Sequence, residues 1–255
     1  MAHKKPKGVP EFERIGLGNI GKALKLAIVD MKRSAAYGFI LSLPYVLGGI
    51  GFIWLTWFSE QSYWLVFAAF GFPLMGPFAA VGLYEVSRRY ELGLPMDWRA
   101  IFGVISRERS GQLPWLSAVV VVIFLFWFFL GHMIFALFLG LSTMTNVSSS
   151  YEVYLTSNGL TMLTVGTAVG AVFAFITFAI SVIGIPILLD REIDFVTALI
   201  TSIQVVLANP FPMLVWAIVL AIFTVLAMLP FFLGLFIGLP LLGHASWHFY
   251  RLAQA

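Results

Sequence analysis

Residues 36–58, 114–141 and 160–189 contain no Asp, Glu, Lys or Arg. An apolar run of about 20 residues is the length at which an α-helix crosses the hydrocarbon core of a bilayer. Lipid offers bare backbone groups no hydrogen-bond partner, so a spanning chain is either a helical bundle or a closed barrel. A barrel shows short alternating strands, whereas these runs are continuous. Composition agrees: 60% of residues are hydrophobic and 11% charged, against about a quarter charged in soluble domains. The expected fold is all-α, a polytopic membrane helical bundle. It forms a single integral membrane domain over 1–255, with a polar tail at 1–17.

Six spans fit the pattern, at 36–58, 63–86, 114–141, 160–189, 211–229 and 231–250. The last two form one apolar stretch. As a single helix, residues 211–250 would reach about 60 Å at 1.5 Å per residue, twice a bilayer core, so a break is expected at Pro230; one span followed by a re-entrant segment is the alternative. All 15 Lys and Arg fall in the N-terminal segment, in 87–112, in 190–210 and at the C-terminal end. The other side, at 59–62 and 142–159, carries only Glu60 and Glu152. The excess of positive charge on one side predicts a multi-pass membrane protein with both termini in the cytoplasm. The N-terminus is basic with no apolar stretch directly behind it, so no cleaved signal peptide is expected. With no cysteine in the chain, disulfides, thiolate zinc sites and iron–sulfur clusters are excluded.

Three amphipathic segments precede pairs of spans, at 19–33, 97–109 and 194–210. In the first, Ile20, Ala23, Leu24, Ala27 and Met31 make one apolar face; in the second, Trp98, Ile101, Phe102 and Ile105 do so. In the third, Thr197, Thr201 and Gln204 make a narrow polar face. Asn19, Asp97 and Asp194 are the expected N-caps. A Gly-x-Pro sequence recurs late in each even-numbered span: Gly71 and Pro73, Gly184 and Pro186, Gly238 and Pro240. The expected architecture is three helix-hairpin units, each preceded by an interfacial helix, over 18–88, 95–190 and 194–251. The prolines are expected to bend the spans and free backbone carbonyls, which either line a solute site or are resealed by neighbouring helices. Gly166, Gly170 and Ala174, and separately Gly234 and Gly238, form small-residue faces suited to close helix approach.

Chemistry is sparse. His244 and His248 share one helix face at i, i+4, with Glu85 at a similar depth and Arg251 beyond them. Two histidines at this spacing suit zinc or copper when another helix supplies a third ligand; hydrogen bonding across the bundle is the alternative and the one favoured, so no metal is assigned. His132 lies about 27 Å along its span from Pro114, near the opposite face, so no histidine pair brackets a haem iron. Neither a cofactor nor a set of catalytic residues is expected, and the basic residues follow topology rather than nucleic acid. His244, His248, Glu85 and Arg251 are the candidate binding or helix-junction residues.

The ending "LGHASWHFYR", the stretch "LLDREIDFVTALITSIQVVLANP" and the hydropathy layout resemble a bacterial integral-membrane family catalogued as a domain of unknown function. Some of its members are labelled cytochrome c oxidase subunit I. The resemblance covers most of the chain and implies an inner-membrane protein with no established activity. A looser likeness, in size, partly inserted amphipathic helices and a YR-type ending, is to CysZ-type sulfate transporters, with no binding motif matched. The expected function is non-enzymatic: an accessory, assembly or scaffold subunit of a membrane complex, respiratory in the reading the label suggests. Its partners would be lipid and another membrane protein or further copies of itself. The alternative is a channel or transporter for a small solute such as an anion.

Overall fold

A computed structural model of the protein describes residues 5–59, 64–140 and 152–255, with the side chains of 64–75 and 78 outside that description. Every element within those residues is an α-helix: α1 (Leu17–Arg33), α2 (Ala35–Ser59), α3 (Trp64–Glu91), α4 (Trp98–Glu108), α5 (Leu113–Leu139), α6 (Glu152–Leu155), α7 (Ser157–Ser181), α8 (Gly184–Asp190), α9 (Phe195–Ala208), α10 (Pro210–Met228) and α11 (Leu235–Leu252). Four stretches are long and apolar enough to cross a membrane: α2, α5, α7 continued through α8, and α10. The expected loops at 59–62 and 142–159 fall largely outside the described residues.

The three amphipathic segments form α1, α4 and α9. Asp97 caps α4, accepting from Arg99 N at 3.1 Å, and Asp194 caps α9, accepting from Thr197 N at 2.9 Å. Asn19 is not a cap. It lies inside α1, whose N-cap is Gly16, and its Nδ2 donates to Leu252 O at 2.8 Å. Turned sideways in this way, it ties α1 to the end of α11. Helix α1 buries Ile20, Ala23, Ala27 and Asp30, one face at spacings of three and four. Helix α9 turns Thr201 and Ser202 inward while Val196, Ile200 and Leu207 stay exposed. That orientation suits lipid outside and hydrogen bonding inside.

The core lies toward one end of the bundle. There α11 packs on α1, α2, α3, α8 and α10, burying Gly238, Pro240, Leu242, Gly243, His244, Ala245, Trp247, Phe249 and Tyr250. Trp216 of α10 stacks on Phe249, with ring centroids 5.1 Å apart. Small residues set the helix separations. A Cβ on Gly38 would stand 2.9 Å from Pro240 Cγ, and one on Gly243 would stand 2.5 Å from Leu83 Cδ1. Gly238 faces Ala227 and Gly170 faces Trp127, but Gly166 meets no neighbour. The small-residue face on α7 is therefore packed at Gly170 and open at Gly166. Away from the core, α5 exposes Phe126, Phe129, Met133 and Leu137, and α10 exposes Ile218, Ile222 and Val225.

Helix α10 ends at Met228 and α11 starts at Leu235, so the long apolar stretch breaks around Pro230. The proline ring crowds the carbonyl four residues back. Phe231 and Phe232 take up left-handed φ values of 51° and 65°, and the Phe232 ring fills the space left by Gly49.

The three Gly-x-Pro sequences behave differently. Helix α3 runs on through Gly71 and Pro73, and α11 through Gly238 and Pro240. At Gly184 and Pro186 the helix parts between α7 and α8. Pro186 lacks an N–H and crowds the carbonyl of Val182. The Ser202 hydroxyl of α9 enters this gap, accepting from Ile183 N at 3.1 Å and donating to Ala179 O at 2.6 Å. It bridges Ile183 N and Ala179 O, a pair that an unbroken helix would bond directly. Ser202→Ala leaves both backbone groups buried without partners and is expected to destabilise the protein by about 1–3 kcal/mol. Thermal or denaturant unfolding in detergent measures the loss, and an unchanged midpoint would show that the hydroxyl contributes nothing.

Candidate functional site

The helix-junction side chains converge where α1, α3, α8 and α11 meet. His244 and His248 share a face of α11 but bond in different directions. His244 is fully buried. Its Nδ1 lies 2.8 Å from Ser87 Oγ on α3, and its Nε2 lies 3.4 Å from Ser34 Oγ, which donates instead to Asp30 O. His248 Nε2 meets Asp30 Oδ2 on α1 at 2.7 Å. Ser87 also bonds the Asp30 carboxylate. The chain His244–Ser87–Asp30–His248 thus links α11 to α3 and α1. Asp30 stands outside the sequence-derived set, yet its position was readable. It continues the spacing of Ile20, Ala23 and Ala27, and a carboxylate on a buried face needs a partner.

Glu85 does not reach either histidine. It is 1% exposed and pairs within its own helix, with Arg88 Nη1 at 3.2 Å and Arg89 Nε at 2.8 Å. Arg251 meets Glu91 of α3 at 2.7 Å and Asp190 of α8 at 3.5 Å. Two further bonds close this corner: Tyr250 Oη to Asp190 at 2.8 Å and Trp247 Nε1 to Glu91 at 3.1 Å. Arg251 therefore ties the end of α11 to two other helices. Of the bend residues, Gly184 and Pro186 sit buried beside α9, Gly238 and Pro240 sit buried between α10 and α2, and Gly71 and Pro73 lie within α3. His132 lies apart on α5, its ring bonded to Phe128 O at 2.8 Å.

The Ser87–His244 contact has the length of a nucleophile–base pair, but its surroundings differ from one. A catalytic base is oriented through its second nitrogen by a third group. Here the carboxylate bonds Ser87 and His248 instead, and both Ser87 and His244 have no exposed surface. Among the described residues no three His, Asp or Glu side chains gather as a metal site.

The N-terminal segment runs beneath this junction. Glu192 N donates to Pro6 O, Glu13 N to Ala253 O and Ala255 N to Glu11 O. Lys5 Nζ reaches Glu108 at 2.6 Å and Leu188 O at 2.7 Å.

Residues 65–190 match the model of a family described as predicted integral membrane protein, DUF2189. Over those residues, just under half of the chain, it is similar to that family. The DUF2189 match runs from α3 through α8, taking in Glu85, Ser87 and Asp190 but neither Asp30 nor the two histidines of α11. No curated protein matches the chain. No solved structure matches it.

Burial raises the Asp30 carboxyl, but hydrogen bonds from His248 and Ser87 and the attraction of His248 and His244 outweigh it and hold the group below its ordinary value. A lowered carboxyl stabilises the fold fully above its unfolded-state value, about 3.9. That contribution disappears as pH falls through the lower folded value. The melting temperature is therefore expected to be insensitive to this group from neutral pH to about 5 and to fall below about pH 4. Asp30→Asn is expected to flatten this acid limb; melts that keep the full limb would remove Asp30 as its source. His248→Ala is expected to cost about 1.5–3 kcal/mol at neutral pH, the range for a hydrogen bond to a charged group, read from unfolding in detergent.

Proposed function

We propose that the protein is a non-enzymatic, six-span subunit of the bacterial inner membrane that acts as an accessory, assembly or scaffold component of a membrane complex. In this reading α2, α3, α5, α7–α8, α10 and α11 cross the bilayer. Helices α1, α4 and α9 lie at its cytoplasmic face, each ahead of one hairpin unit. The element order supports this, because an amphipathic helix of 17, 11 or 14 residues precedes each pair of long helices. The pairing of Phe12 with Gln254 supports termini on one side, as does the distribution of Lys and Arg.

The filled interior carries the non-catalytic reading. Ser202 bridges Ile183 N and Ala179 O at the α7–α8 break, Pro240 packs on Gly38 and Gly238 on Ala227, and the Ser87–His244 pair is sealed from substrate. A solute path between the Gly-x-Pro positions would need polar space where side chains now pack. The exposed apolar flanks of α5 and α10 suit lipid or a membrane partner.

Purification of a tagged protein in mild detergent, with mass spectrometry and an absorption spectrum of the eluate, tests this reading. Stoichiometric recovery with another membrane complex is expected. Recovery as a colourless homo-oligomer alone would overturn the accessory role and favour solute transport, measured as anion flux in liposomes.

A further inference from the structure

A half-open pocket of about 540 Å³ lies between the end of α3, the turn after it, α4 and the N-terminal segment. Four cations face it: Lys5, Arg88, Arg89 and Arg107. Three carboxylates share the lining, and each is engaged. Glu85 is held between Arg88 and Arg89, Glu108 by Lys5, and Asp97 accepts from the backbone of α4. The lining therefore carries one more positive than negative charge.

The unspent donors concentrate on two residues. Arg88 is 8% exposed, and its guanidinium is tied to the protein only at Nη1. Glu85 fixes that side of the guanidinium, so the free edge is preorganised. Its Nη2 has no hydrogen-bond partner and keeps accessible surface, so it is the nitrogen a ligand oxygen can meet. Arg107 is exposed, and among the described residues its side chain makes no hydrogen bond or ion pair. Arg89 is largely committed, to Glu85 and to Pro95 O at 2.6 Å.

Two guanidinium groups with free edges recognise an oxyanion with several acceptor oxygens. The pocket is within the usual range for small-molecule sites, roughly 300–1,000 Å³, and is larger than a bare ion requires. Leu94, Pro95 and Leu189 give it an apolar wall for the carbon part of a ligand. We propose that this pocket binds a phosphate ester, with the phosphate oxygens taken by Arg88 and Arg107. This inference goes beyond the accessory role and does not depend on it. A lipid headgroup and a soluble phosphate share this chemistry. On α4, Trp98 and Phe102 stack, with Phe102 45% exposed, so the helix that lines the pocket also carries an apolar surface suited to the bilayer boundary.

The full chain, purified in phosphate-free neutral detergent, is titrated with inorganic phosphate and, separately, with micelles doped with phosphatidylglycerol. The shift in melting temperature is the readout. Saturable stabilisation is expected in at least one series. Arg107→Gln is expected to weaken the apparent affinity about tenfold or more, the scale of one lost charge-assisted hydrogen bond. Arg109→Gln, an exposed neighbour outside the pocket, leaves it unchanged. Saturation by inorganic phosphate assigns a soluble ligand, and saturation by phosphatidylglycerol alone assigns a lipid. Saturation in neither series, or equal weakening by both variants, would overturn the proposal.

Discussion

The seating of α1 on α11 holds the lower part of the structure together. A carboxylate on a buried helix face is costly unless its charge is met. Asp30 meets this requirement with His248 at 2.7 Å and with the Ser87 hydroxyl. Because Ser87 belongs to α3 and also contacts His244, satisfying one carboxylate fixes three helices relative to one another. The alanine surface of α1, Ala23 and Ala27, lets the helix come close enough for these bonds to form.

The second constraint is the backbone. A membrane helix that breaks must find new partners for the groups it frees. At the α7–α8 junction Ser202 provides them for Ile183 N and Ala179 O. The Gly-x-Pro position in α11 works by shape. Pro240 fills the gap beside Gly38, and Gly238 admits Ala227. The same short sequence thus serves as a joint in one helix and a packing surface in another.

Much of this architecture could be read in the sequence. Charge-free runs mark α2, α5, α7–α8 and α10, Pro230 marks the break before α11, and Asp97 and Asp194 mark helix starts. These features depend on local chemistry that neighbours in sequence supply. Asn19 has the right type for a cap, but tertiary contact with Leu252 claims it. The histidines were legible as a pair on one face, but not their separate partners. Ser87 and Asp30 lie 157 and 218 residues away from them. Glu85 illustrates the same limit: depth suggests the histidines, while its own helix supplies two arginines at i+3 and i+4. Ser202 reads as one more hydroxyl on α9, because nothing local shows that it faces a broken helix.

The clasp between the two ends of the chain bears on how the protein is made. Helix α1 emerges from the ribosome early, and its principal partner α11 follows more than two hundred residues later. Until then its buried face, including Asp30, lacks the helix against which most of it packs. The amphipathic character of α1 therefore serves two stages. Its apolar face suits a bilayer surface while the later helices are made, and the same face presents the carboxylate that His248 meets. In this order of events the base of the bundle closes last, once α11 has joined it.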